Sequence, residues 1–122
     1  MPAVGQYSPP STSLIIRPAA TVIDRGAAAV PSAYVVCQPG DYVSLNISLT
    51  ERSGHAIASG SGSQDFNCTG QIETVTVPVA ATDKPFVAGK AFAQASFFDC
   101  GPTICSQTNA TRSVTLQVKK KK

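Results

Sequence analysis

Between positions 41 and 49 apolar and polar side chains alternate without a break. Val43, Leu45, Ile47 and Leu49 fall on one side, and Tyr42, Ser44, Asn46 and Ser48 on the other. Successive side chains of a strand point to opposite faces, so this is the period of a strand with one face buried. The period recurs downstream. Over 71–79, Val75, Val77 and Val79 alternate with Thr74, Thr76 and Pro78. Over 90–99, Ala91, Ala93, Ala95 and Phe97 alternate with Phe92, Gln94, Ser96 and Phe98, and over 112–118, Val114, Leu116 and Val118 form the inward set.

The intervening positions read as breaks. Pro18 interrupts the apolar pieces 14–16 and 21–23, which fits one edge strand, because an edge tolerates a residue without an N–H. Residues 24–26 read as a turn, and 27–36 as a strand with Pro31 near its start and Ala33, Val35 and Cys37 on one face. A short strand is expected at 56–58, a flexible or bulged link at the glycine-serine run 60–63, and a loop at 81–85. Phe66 is expected to pack beside Cys68, and 106–109 to be a polar connection before the last strand. The chain thus predicts seven or eight short strands with frequent turns and no helical period. That pattern predicts an all-β, immunoglobulin-like Greek-key sandwich of antiparallel strands. There is no tryptophan, which argues against an antibody-type domain. The division is a Pro/Ser-rich arm at 1–13, one domain at 14–118 and a lysine tail at 119–122.

Composition changes this picture in two ways. Charged residues are 14% of the chain, against roughly 25% for soluble domains, so Ser, Thr, Asn and Gln carry the outward faces. Of the formal charge of +3, the four lysines 119–122 supply more than all of it, and without them the remainder is −1. The domain itself therefore offers no basic footprint for specific nucleic-acid binding. No apolar run approaches the roughly 20 residues that span a bilayer.

Four cysteines in a small, β-rich chain predict two disulfides and an oxidising compartment. Three pairings are possible, and spacing favours Cys37 with Cys68 and Cys100 with Cys105, since residues 100–105 form a turn that brings its own ends together. By loop entropy these bridges stabilise by up to ~3.7 and ~2.2 kcal/mol. Zinc would need closer cysteine pairs or histidine partners, and His55 is the single histidine, so no metal is expected. The first residues show neither a basic start nor an apolar core of a leader. Export with the leader already removed is the expectation, and a virion surface the alternative.

Five pieces in order carry a family resemblance: VVCQPGD at 35–41, VSLNISLTER at 43–52, NCTG at 67–70, PFVAGKA at 85–91 and DCGPTIC at 99–105. Together they resemble a group of small secreted immunoglobulin-like domains of unknown function in actinobacteria, over 14–118. That resemblance implies a two-disulfide sandwich, export and no known catalysis. A weaker similarity, resting on Asp99 and the Cys100–Cys105 spacing, is to neocarzinostatin-like apoproteins, which carry a chromophore in an open cleft. There the first disulfide closes a short local loop, whereas Cys37 and Cys68 are 31 positions apart.

Candidate chemistry is sparse. His55, at a predicted hairpin tip near Glu51 and Arg52, is the one candidate general base, and no serine stands in a nucleophile-elbow setting. The acidic residues are dispersed, with no pair that spacing alone makes an acid/base couple. Phe92 and Phe98 share the face opposite Phe97 and are the candidate ligand-binding residues, while the small row Ala91, Ala93 and Ala95 leaves room for a large neighbour or a cavity. The expected function is a non-enzymatic exported module without cofactor, presenting a surface to a protein or surface-polymer partner. Self-assembly through the N-terminal arm is a further expectation. The alternative is a carrier of a small apolar ligand in a cleft beside Cys100 and Cys105.

Overall fold

The computed structural model describes residues 13–53, 56–101 and 105–118. The arm 1–12, His55 and the tail 119–122 lie outside the described residues.

The described residues form ten strands and a single turn of 3-10 helix at Asp24–Gly26. In order they are β1 (Ser13–Ile16), β2 (Ala19–Ile23), β3 (Ala28–Val30), β4 (Ser32–Val36), β5 (Tyr42–Ser53), β6 (Ala56–Asn67), β7 (Glu73–Thr76), β8 (Val79–Ala81), β9 (Gly89–Cys100) and β10 (Cys105–Val118). Seven of them close into a barrel in the order β9-β10-β2-β3-β8-β6-β5, and β1, β4 and β7 form a three-stranded sheet in the order β1-β4-β7. β2 runs parallel to β10, pairing Ala19 with Thr115 and Val22 with Val118, whereas the other ladders are antiparallel.

The expected sandwich of seven or eight antiparallel strands is therefore corrected in strand number, in closure and in one pairing direction. The physical reason is local. Proline has no N–H to give a ladder, and three strand-like stretches each change sheet beside one. Pro18 separates β1 from β2, Pro31 separates β3 from β4, and Pro78 lies between β7 and β8. The predicted edge strand at 14–23 is thus two strands in two sheets. The carbonyls at these crossings stay paired: Pro18 O accepts from the Thr115 N–H at 2.8 Å, and Pro31 O from the Val77 N–H at 3.0 Å.

Closure depends on a second feature. β6 is one continuous strand of 12 residues, paired from Ala56 to Asn67 with β5. The run at 60–63, expected to be a link, is its middle. There β8 crosses closely enough to pair Gly60 with Ala81 and Ser61 with Ala80. A methyl group on Gly60 would overlap the carbonyl oxygen of Ala80, and one on Gly62 that of Pro78. Only a residue without a side chain admits a backbone that near.

One apolar cluster runs through both sheets. Ile16, Ala33, Val35 and Val75 of the small sheet join Leu45, Ile47, Leu49, Val79 and Phe97 of the barrel. The inward sets of 43–49, 71–79 and 91–97 fall as their alternation predicts, the alanine row included. Phe66 is partly buried, its ring 6.2 Å from that of Phe97. Two expectations at the C-terminal end are corrected. Residues 106–109 belong to β10 rather than to a connection, and Val118, at the strand's last position, is 58% exposed.

Both expected disulfides are formed, with Cα–Cα separations of 5.7 Å for Cys37–Cys68 and 4.0 Å for Cys100–Cys105. The first ties the segment after β4 to the segment after β6, where the Gly40 N–H donates to Cys68 O and the Cys68 N–H to Asp41 O, both at 2.9 Å. The second joins residues that face each other across β9 and β10. A buried carboxylate completes the packing: Glu51, 2% exposed, accepts the Val87 N–H at 2.9 Å and so anchors the segment that inserts Phe86 into the core.

Two pairs of substitutions test this architecture. Gly62→Ala is expected to lower stability by about 3 kcal/mol or more, because its methyl meets backbone, while outward-facing Ser61→Ala stays within about 0.5 kcal/mol. Glu51→Ala, which strands the Val87 N–H, is expected to cost about 2 kcal/mol and Glu51→Gln less, since it keeps an acceptor. Denaturant unfolding at pH 7 measures both sets.

Candidate functional site

Paired residues of neighbouring antiparallel strands point to the same side of a sheet. Along β6, β5, β9 and β10 the registers therefore stack the outward side chains into rows that cross four strands. One row is Ser59, Thr50, Phe92 and Ser113. The next two are Ser61, Ser48, Gln94 and Thr111, then Ser63, Asn46, Ser96 and Asn109. A fourth is Asp65, Ser44, Phe98 and Gln107. The two middle rows contain only hydroxyls and amides, and the rows on either side each carry one phenylalanine. Phe92 is 45% exposed and Phe98 40% exposed. They stand on one strand six residues apart, about 20 Å at the usual rise.

Between them lies a shallow depression of about 390 Å³ whose lining includes Asn46, Ser48, Gln94, Ser96, Asn109 and Thr111. Asn46, Ser48 and Ser96 are half-buried, while Ser61, Gln94, Asn109 and Thr111 are exposed. Gln107 Nε2 donates to Asn109 Oδ1 at 3.0 Å. Among the described residues, Asn46, Ser48, Ser61, Gln94, Ser96 and Thr111 make no side-chain hydrogen bond to a neighbour. In the four rows the one ionised group is Asp65. The Tyr42 hydroxyl donates to its Oδ2 at 2.8 Å. Hydrogen bonds from Ser44 and Tyr42 hold the Asp65 carboxyl below its ordinary value, and the same contact raises the Tyr42 phenol.

At one end of the barrel a second feature joins residues that sequence spacing kept apart. Asp99 continues the inward row of β9 beyond Phe97 and is buried, and Asp41 forms a side-chain hydrogen bond with it. That bond, with the charge of Asp99, raises the Asp41 carboxyl above its ordinary value of 3.8. Spacing alone placed no acidic pair, and the fold brings these two together. A signal was present, since Asp99 puts a carboxylate at an inward position of an otherwise apolar row.

A third surface is apolar. On the small sheet Ile15 (53% exposed), Tyr34 (38%) and Ile72 (74%) line a narrow groove beside Ser13, with the Arg17 guanidinium 5.3 Å from the Tyr34 ring centroid. Among the described residues no three His, Cys, Asp or Glu side chains converge to hold a metal ion. No helix of the described residues is long and apolar enough to cross a membrane.

No family of known proteins matches the chain, and no curated protein matches it. Among solved structures it is similar to AggA, the major subunit of aggregative adherence fimbriae type I from Escherichia coli. The identity is 14%, over 89% of this chain and 95% of that one, with a TM-score of 0.43.

The titrations carry a prediction. A carboxyl whose pKa is raised by folding stabilises the fold below its unfolded value, and that contribution is lost as pH rises through the raised one. Asp41 behaves so, because its proton is shared with Asp99 in acid and two like charges meet at neutral pH. Asp41→Asn is expected to raise Tm at pH 7 and to lose that advantage near pH 3. Asp65 has the opposite sign: its lowered pKa supports the fold above the ordinary carboxylate value and gives that up as pH falls. Asp65→Asn is therefore expected to lower Tm at pH 7 and to converge on the wild type in acid. Thermal melts from pH 2.5 to 7.5 read both.

Proposed function

We propose that this chain is a non-enzymatic, exported immunoglobulin-like module that acts through its surface, as a binding or structural domain outside the cell or on a virion. The observation that carries the reading is the four-stranded outer face: broad, uncharged at its centre, and built on strands locked by ladders on both sides. Such a surface presents itself to a partner and holds no set of groups for bond chemistry. Two disulfides suit an oxidising compartment, and the low charge of the strands suits a domain packed among others at a surface. We read the Asp41–Asp99 contact as structural, lying at a barrel end between the two staples. The partner is a protein or a surface polymer. Self-assembly would use the apolar groove of Ile15, Tyr34 and Ile72, which lies where residues 1–12 join β1. Kinship with the small secreted actinobacterial domains fits the same reading.

A neocarzinostatin-like carrier would need an apolar cleft beside Cys100–Cys105. The depression bordered by Gln107 and Asn109 of that hairpin is lined chiefly by amides and hydroxyls, so it suits a polar ligand instead.

Protein recovered from its natural source tests the reading by native and denaturing mass spectrometry after cell fractionation. The expected result is a bare chain, four hydrogens below the reduced mass, in the surface or extracellular fraction. Free thiols in the cytosolic fraction would overturn export. A small molecule released on denaturing would replace the module with a carrier.

A further inference from the structure

We infer that the outer face of β6, β5, β9 and β10 is a binding site for a neutral polysaccharide, with its ring faces on Phe92 and Phe98 and its hydroxyls on the amide and hydroxyl rows between them. This deepens the proposed function by naming the partner class, and rests on it.

The arrangement of polar and apolar groups selects the ligand. Interfaces between proteins place apolar and aromatic groups at the centre and polar ones at the rim. Here the order is inverted: both central rows are hydroxyl and amide, and the phenylalanines stand outside them. A protein partner would have to desolvate the whole centre to reach either ring. A carbohydrate chain matches the inverted order. Each sugar ring carries hydroxyls that donate and accept, which is what Gln94, Asn46, Asn109 and Ser96 offer in return. Its C–H faces pack on aromatic rings, and two such platforms about 20 Å apart on one strand fit an extended chain of several rings.

Charge narrows the class. The four rows hold no cation, and their single anion, Asp65, is held ionised by Ser44 and Tyr42; Arg52 and Lys90 stand exposed one row beyond Phe92. Between the two rings, nucleic acids, sulfated glycans and polyuronates would meet no counter-charge, and at the Phe98 end one repulsive group. An uncharged polyol loses nothing there. The central side chains that make no bond to a described neighbour are available to it without breaking an internal contact. The four strands are about 14 Å across at the usual spacing, a width that leaves room for the chain to lie along β9 from Phe92 to Phe98.

Affinity electrophoresis of the folded chain through gels containing dextran, galactomannan, xyloglucan or soluble β-1,3-glucan, with heparin and alginate as anionic comparisons, tests this. The expected result is retardation by at least one neutral polymer and by neither anionic one. Phe92→Ala and Phe98→Ala are each expected to weaken that binding roughly five- to tenfold and together to abolish it. Gln94→Ala with Asn109→Ala should weaken it without changing Tm, and Ile72→Ser on the other sheet should leave it intact. Equal mobility in all four neutral polymers, retardation by heparin or alginate alone, or retardation that survives the double phenylalanine variant would each overturn the inference. Should it fail while the protein is still found oxidised and extracellular, the proposed module stands with a different partner. Reduced, cytosolic protein would overturn the module itself.

Discussion

The contact on which the rest of this structure depends is the approach of β8 to β6 at Gly60 and Gly62. Two absent side chains allow the carbonyls of Ala80 and Pro78 to sit where a methyl group would stand. Through that gap the ladder passes from β6 to β8 and on to β3, β2 and β10, so that the sheet meets itself. Closure removes the free edges that an open sheet of this length would expose. It also holds β6, β5, β9 and β10 as a continuous surface, because β6 is paired on its far side and β10 is paired with β2. The outer face, uncharged at its centre, is therefore a consequence of closure as well as of composition.

The other constraints act where closure does not reach. Strands that leave the barrel at Pro18, Pro31 and Pro78 build the small sheet, whose inward side chains Ile16, Ala33, Val35 and Val75 complete the same apolar cluster. Cys37–Cys68 then ties the end of that sheet to the end of β6, and Cys100–Cys105 clamps the hairpin that carries Phe98 and Gln107. These covalent links matter more here than in a charge-rich domain, because only 14% of the residues are charged. A stiff face built this way loses little conformational entropy when a ligand binds.

Much of this was legible from alternation. A strand buried on one side must place every second residue inward, so Val43 to Leu49, Val75 to Val79 and Ala91 to Phe97 declared their faces, and with them the outward positions of Phe92 and Phe98. Spacing was enough for the disulfide pairs. The sheet assignment was not legible, because a proline marks a break in a ladder without saying which ladder the chain joins next. The run at 60–63 misled for a related reason: a glycine that permits flexibility and one that admits a neighbouring backbone look the same in sequence. Residues 106–109 read as a connection because Thr108 and Ala110 give β10 little inward contrast with Gln107 and Asn109. The candidate site needed the registers, since Ser61, Gln94 and Thr111 become neighbours only when four strands are laid side by side. Alternation put Asp99 and Glu51 at inward positions, but their partners Asp41 and Val87 needed the folded chain.

Closure is open to a direct measurement: nuclear Overhauser contacts and amide exchange across Gly60–Ala81 and Ser61–Ala80. Those residues pair in the barrel and would be distant in an open sandwich. A closed barrel predicts cross-strand contacts between the two segments and slowly exchanging ladder amides where they meet. Absent contacts, with amides of β6 and β8 exchanging as fast as exposed loops, would contradict closure and leave the four-stranded face without its support.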